Sequence, residues 1–128
     1  MNRFKTKHFS KWAKKSDLAD SDLLRACHEL EKGLFAANLS GNVFKIRIAK
    51  GSRGKSSGYR TILAYMENVR IIYLYGFSKN ERDNISAKEL EAFKKLSKDY
   101  LALSSPQLVR AETMGILIPL EEQNAQDN

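Results

Sequence analysis

Three apolar segments of strand length follow one another in the middle of this chain, and they constrain its fold more than any other feature. Residues 43–49 alternate apolar and basic side chains, which predicts a strand with one buried face. Residues 59–65 and 69–78 are separated only by a short polar turn, a pattern typical of a hairpin. Three strands in succession favour an antiparallel meander.

The residues before these strands predict one further strand and two helices. Residues 2–9 alternate bulky and basic side chains and are expected to form an edge strand. A short helix is predicted around residues 10–15. A second helix is expected to begin at a cap on Asp20 or Ser21 and to end near Gly33.

The last predicted helix has the clearest start in the sequence. Ser86 and Glu89 form the S-x-x-E pattern, in which each side chain bonds to the backbone amide of the other residue. An apolar stripe at helical spacing follows and is expected to lie on the sheet. Its members are Leu90, Phe93, Leu96, Tyr100 and Leu101.

Together these elements predict a small α+β domain over residues 1–120, followed by a polar flexible tail over 121–128. The expected architecture is an antiparallel β-sheet of about four strands, with two N-terminal helices and one C-terminal helix packed on it. Because the helices are expected on one face only, the other face is expected to be open to water or to a partner.

Composition narrows the compartment and the class of chemistry. The single cysteine, Cys27, gives no basis for a disulfide framework, and no apolar run approaches the roughly 20 residues of a membrane span. A cytoplasmic protein without membrane contact is therefore expected. The chain contains no H-E-x-x-H, C-x-x-C, P-loop or G-x-S-x-G motif, so neither a metal nor a cofactor is expected. His8 and His28 are expected to be surface residues.

Positive charge is concentrated in the central strands. The net charge is +7, and no Asp or Glu occurs between Leu34 and Met66. Uncompensated cations repel one another, which is tolerated where a polyanion binds, although lysines and arginines on a sheet surface can also serve solubility alone. The cations of this stretch are Lys45, Arg47, Lys50, Arg53, Lys55 and Arg60. Strand alternation places Lys45 and Arg47 on the same face.

The motifs around these cations resemble those of the RelE/ParE superfamily of bacterial toxins, and most closely its RelE- and HigB-like members. The matching elements are K-x-R on one strand, G-K-S-x-G-Y-R into the next, and F-x-K-x-E-R before the last helix. The resemblance implies a toxin of a type II toxin–antitoxin system that cleaves mRNA on the ribosome without a metal. It also implies a cognate antitoxin as a partner, beside the ribosome and mRNA.

The resemblance also implies roles for individual residues. Five cations match basic positions of the catalytic site, with Lys45 as the base and Arg60 as the residue that stabilises the phosphate. These catalytic candidates are Lys45, Arg47, Arg60, Lys79 and Arg82. Candidates for contact with RNA or the ribosome are Lys50, Arg53, Lys55, Tyr59 and Asn80.

The sequence departs from RelE at two points. Asn80 stands where RelE has an arginine, and Ile85 and Ser86 occupy the region of a substrate-stacking tyrosine. These departures leave the general acid unassigned. Two alternatives stay open: a gyrase inhibitor of the ParE kind without nuclease activity, and an inactive relative that only binds nucleic acid.

Overall fold

The computed structural model describes residues 2–35, 37–49 and 58–121 of the 128-residue chain. The predicted tail lies outside the described residues except for Glu121. The elements in chain order are β1 (Asn2–Thr6), α1 (Lys7–Lys15), α2 (Asp20–Glu31), β2 (Ala37–Asn38), β3 (Val43–Ile48), β4 (Tyr59–Met66), β5 (Arg70–Ser78), α3 (Ala87–Leu101), α4 (Ser105–Thr113) and β6 (Leu117–Pro119). The α+β class is confirmed.

The sheet is larger than predicted and is not purely antiparallel. Across the described residues it has six strands in the order β2-β3-β4-β5-β1-β6. The meander of β3, β4 and β5 is antiparallel as expected. The prediction of an edge strand at the N-terminus was wrong, because β1 lies between β5 and β6 and pairs with β5 in parallel. The crossover through α1 and α2 makes this parallel pairing possible.

Helices pack on both faces of the sheet, so the prediction of one wholly open face was also wrong. On the first face, called the α1 face, α1 and α2 enclose a core that includes Phe9, Leu23 and Tyr73. On the opposite face, called the α3 face, α3 and α4 pack over Ala64 and Ile72. Strand alternation sends Ile71 and Tyr73 of β5 to one core and Ile72 and Leu74 to the other. On the α3 face, Arg47 is exposed and Lys45 and Arg60 are half-buried, so the helices cover this face over only part of its area.

The N-terminal helices differ from their predicted starts. Helix α1 begins at Lys7, because the Thr6 hydroxyl accepts a hydrogen bond from the Phe9 amide at 3.1 Å and caps it. His8 therefore lies in a helix and not in a strand. Helix α2 is preceded by Ala19, whose amide donates to the Asp22 carboxylate at 3.1 Å. Gly33, with φ of +85°, ends it as predicted.

A helix that was not predicted, α4, lies between α3 and β6. Its start combines a Ser104–Gln107 capping box with Pro106 in the first turn, both of which favour a helix start. The described C-terminal part of the chain thus holds two helices rather than one. No helix in the described ranges is long and apolar enough to cross a membrane.

Cys27 belongs to the core, as its helical neighbours indicated. Its side chain is fully buried in the core of the α1 face, near the hydroxyl of Tyr73. Burial disfavours the thiolate and raises the pKa of Cys27 to about 12. The thiol is therefore structural.

Gly76 lets Trp12 of α1 lie directly on β5, since a Cβ at this position would collide with the indole ring. The Gly76→Ala variant should lose about 1–3 kcal/mol of unfolding free energy, a typical overpacking cost. In a Trp12→Leu background the same substitution should cost less, because the two sites share one contact. Urea denaturation of the four proteins measures this coupling, and an equal cost in both backgrounds would contradict the packing described.

Candidate functional site

The open part of the α3 face carries three cations on two neighbouring strands. Lys45 and Arg47 of β3 alternate with the buried Ile46, and Arg47 lies directly opposite Arg60 of β4. Side chains of directly opposed residues start about 5 Å apart, where like charges repel. The structure thus brings together three of the five catalytic candidates, at a cost in electrostatic energy.

The next strand adds aromatic side chains to this row of cations. Phe77 of β5 lies opposite Arg60, and Tyr75 lies opposite Ile62, which is itself paired with Lys45. Phe77 is buried and Tyr75 is half-buried. The two rings therefore lie beside the row of cations, on the side of β5.

Arg82, a fourth catalytic candidate, lies over the rings of Tyr75 and Phe77. Its guanidinium lies 5.9 Å from the Tyr75 ring centroid and 5.7 Å from that of Phe77. It donates to both carboxylate oxygens of Glu89 at 3.0 and 2.6 Å, and to the Tyr75 hydroxyl at 3.1 Å. The ion pair raises the pKa of Arg82 and lowers that of Glu89 to about 2.

Asn84 connects the Arg82 loop to Lys45. The Nε of Arg82 donates to the Asn84 backbone carbonyl at 2.9 Å. The Asn84 side-chain oxygen accepts from the Ile85 amide at 2.9 Å and from Nζ of Lys45 at 3.5 Å. The loop that follows β5 therefore positions the amine of the predicted base.

Among the described residues, the three sheet cations have no carboxylate partner. Lys45, Arg47 and Arg60 form no ion pair with any residue that the structure describes, and Glu89, in the first turn of α3, is paired with Arg82. One nitrogen of Arg60, Nη1, is buried without a hydrogen-bond partner among the described residues. A buried donor of this kind is costly unless a ligand satisfies it. The arrangement suits an incoming anion.

The other predicted residues lie in the turn after β5, on the α1 face or outside the described residues. Lys79 and Asn80 lie exposed in the turn after β5, where the Asn80 amide donates to the Ser78 hydroxyl at 3.2 Å. Tyr59 lies on the α1 face, with its ring edge-on to Trp12 and its hydroxyl donating to the Ser16 carbonyl at 3.3 Å. The structure thus does not bring Tyr59 to the cations. Lys50, Arg53 and Lys55 lie outside the described residues.

Five residues of this site were not predicted from the sequence: His8, Tyr75, Phe77, Asn84 and Glu89. Glu89 was recognised as a helix cap, but nothing in its spacing to Arg82 revealed the ion pair. Tyr75 was hidden in an apolar strand. His8 lies exposed in α1, with its ring parallel to that of Tyr75 at a centroid distance of 6.0 Å. No sequence signal connects these two positions, since β1 and β5 become neighbours only in the folded sheet.

The site offers cationic and hydrogen-bonding groups rather than metal ligands. Among the described residues, no group of three or more His, Cys, Asp or Glu side chains could hold a metal ion. Guanidinium groups bind phosphate through paired hydrogen bonds, and an amine in its neutral form can accept a proton. The arrangement can therefore bind a phosphodiester and stabilise negative charge that develops on it.

The chain matches a known protein family. A family model described as the RelE toxin of the RelE/RelB toxin–antitoxin system matches residues 1–120. No curated protein matches the chain. The matched range includes every element of the sheet and each residue of the site described above.

The ion pair of Glu89 with Arg82 should give the protein a characteristic response to acid. Since the folded pKa of Glu89, about 2, lies below its ordinary value of 4.5, the pair stabilises the fold above pH 4.5. That contribution is lost as pH falls through the folded pKa. Glu89→Gln keeps the capping pattern but removes the charge.

Urea unfolding of wild type and Glu89→Gln between pH 6 and pH 2 measures this contribution. The difference in unfolding free energy between the two proteins should be constant above pH 5 and should shrink towards pH 2. A difference that does not change with pH would show that the charge of Glu89 contributes nothing to stability.

Proposed function

Because this chain belongs to the RelE toxin family, we propose that it is an endoribonuclease that cleaves mRNA on the ribosome. As a toxin of a toxin–antitoxin system it has an antitoxin partner. In the proposed activity the protein inhibits translation from the cytoplasm and needs no metal ion. The observation that carries the proposal is the unneutralised row of Lys45, Arg47 and Arg60 on the open part of the α3 face.

The proposed reaction is an attack within the RNA itself. The ribose 2′-hydroxyl gives its proton to the amine of Lys45, which accepts it in its deprotonated form, and its oxygen forms a bond to the adjacent phosphorus. The bond from phosphorus to the 5′-oxygen of the next nucleotide breaks, and that oxygen takes up a proton. The products are a 2′,3′-cyclic phosphate and a 5′-hydroxyl.

Arg60 and Arg47 supply the positive charge that this reaction requires. Negative charge increases on the phosphoryl oxygens as the fifth bond to phosphorus forms. The two arginines lie opposite each other across β3 and β4, so both guanidinium groups can face one phosphate.

We assign the protonation of the leaving oxygen to His8. An in-line displacement places the base and the acid on opposite sides of phosphorus. Lys45, Arg60 and Tyr75 occupy successive strands about 4.8 Å apart, and His8 lies beyond them beside Tyr75. It is thus on the far side of Arg60 from Lys45, and histidine is a common general acid.

Arg82 and Glu89 have a positioning role in this proposal. Because Glu89 neutralises Arg82, the guanidinium contributes less charge to the substrate than Arg60 does. Its contacts with Tyr75 and with the Asn84 carbonyl order the loop whose side-chain amide meets Lys45. The pair therefore fixes the geometry of the base.

The proposal predicts that Arg60→Ala and Lys45→Ala each lower the rate of mRNA cleavage about 100-fold or more, a typical cost of one lost transition-state cation or base. His8→Gln should slow cleavage by a similar factor. Lys95→Ala, which removes an exposed cation from α3, is the control and should cleave normally. Primer extension on mRNA from a reconstituted translation system measures the rates.

The outcomes separate the parts of the proposal. Full cleavage by Arg60→Ala and Lys45→Ala would show that the row is not the active site, and full cleavage by His8→Gln would remove only the acid. If wild type leaves mRNA intact but inhibits gyrase supercoiling, the ParE-type alternative is correct. If it binds RNA and inhibits neither process, the protein is an inactive relative.

A further inference from the structure

Helix α1 presents a row of lysines that the proposed chemistry does not use. Phe9, Ser10 and Ala13 are buried against the sheet, and the opposite side of the helix is exposed. At 100° per residue, positions 7, 11 and 14 fall within about 60° of one another, with position 15 beside them. The α1 lysine row therefore consists of Lys7, Lys11, Lys14 and Lys15, and the helix contains no acidic residue.

These lysines are not neutralised, although acids are available close by. None of the four forms an ion pair with any of the described residues. In contrast, the basic residues of the adjoining strand β1 are paired with α2. Arg3 binds Glu31 at 2.8 Å, and Lys5 binds Asp20 at 2.7 Å. Within β1 and α1, the cations without an ion-pair partner among the described residues thus lie on the outward side of α1.

The α1 lysine row begins at the proposed active site. His8, in the first turn of α1, contacts Tyr75, and the hydroxyl of Tyr75 binds Arg82. From Lys7 to Lys15 the helix extends about 12 Å at 1.5 Å per residue. A polyanion seated on the row of Lys45, Arg47 and Arg60 and continuing past His8 would meet these lysines next.

We propose that the α1 lysine row binds the phosphate backbone of the single-stranded RNA that continues from the cleaved phosphate. This inference rests on the proposed nuclease function and names where the substrate strand runs. The row consists of lysines without an exposed apolar side chain among them. Lysine is depleted in protein interfaces, which depend on buried aromatic and apolar anchors, but it is a common contact for phosphates.

The test compares two triple variants that lose the same charge. Lys7→Gln/Lys11→Gln/Lys14→Gln removes the row, and Lys95→Gln/Lys98→Gln/Arg110→Gln removes three exposed cations from α3 and α4. The probes are fluorescent oligoribonucleotides of 3 and 12 nucleotides with 2′-O-methyl groups, which prevent cleavage. Binding is measured over a range of salt concentrations, and circular dichroism checks that both variants fold.

The α1 variant should bind the 12-nucleotide probe at least tenfold more weakly at low salt. Its plot of log affinity against log salt should be shallower by about 2, at about 0.7 per lost phosphate contact. Its affinity for the 3-nucleotide probe should stay within twofold of wild type. The α3/α4 variant should match wild type with both probes. In ribosome assays the loss in the α1 variant should appear in KM.

Several results would overturn this inference. Equal losses in both variants would mean that only net charge matters. Unchanged RNA binding with weaker binding to ribosomal subunits would assign the row to ribosomal RNA, and weaker binding to the antitoxin alone would assign it to that partner. If wild type binds the long probe through α1 but never cleaves mRNA, the nuclease proposal fails and the surface stands. If the α1 variant cleaves mRNA with normal kinetics, the nuclease proposal stands and the proposed role of the α1 lysine row fails.

Discussion

Two arginines, Arg70 at the start of β5 and Arg82 in the loop after it, bind the two ends of α3, and this attachment determines which part of the sheet stays open. Arg70, at the start of β5, donates to the carbonyls of Tyr100 and Leu103 at the C-terminal end of α3, where a cation is favoured. Burial lowers its pKa. Arg82, beyond the end of β5, binds Glu89 in the first turn of α3. The helix so fixed covers Ala64 and Ile72 but leaves the α3-face cations of β3 and β4 accessible.

Among the described residues, the acidic side chains that form ion pairs bind other basic residues and not those cations. Acidic side chains meet the basic residues that hold the fold together, as in the pairs Arg3–Glu31, Lys5–Asp20 and Arg82–Glu89. They leave two exposed cationic surfaces unbalanced in the part of the chain that the structure describes: the sheet row and the α1 lysine row. Since clustered like charges destabilise the folded state through self-repulsion, binding of a polyanion is a physical reason for both surfaces. The two surfaces meet at His8 and Tyr75.

Local patterns predicted the strands of the meander, the capping box of α3 and the shared face of Lys45 and Arg47. They failed where the outcome depends on distant partners. The parallel pairing of β1 with β5 and the ring contact of His8 need the folded sheet. Within α3, Ser97 is fully buried and donates to the Asn42 carbonyl at 3.4 Å, while Leu96 is exposed, contrary to the predicted stripe. The helix is rotated so that Ser97 and Leu101, four residues apart, meet the sheet.

The central claim is that the row of Lys45, Arg47 and Arg60 promotes attack by a ribose 2′-hydroxyl. The ends of the cleaved RNA report this chemistry most directly. Purified protein is added to translating ribosomes on a defined mRNA, and the fragments are analysed by mass spectrometry. The expected ends are a 2′,3′-cyclic phosphate on the upstream fragment and a 5′-hydroxyl on the downstream one. Fragments ending in a 3′-hydroxyl and a 5′-phosphate, or the absence of cleavage, would contradict the claim.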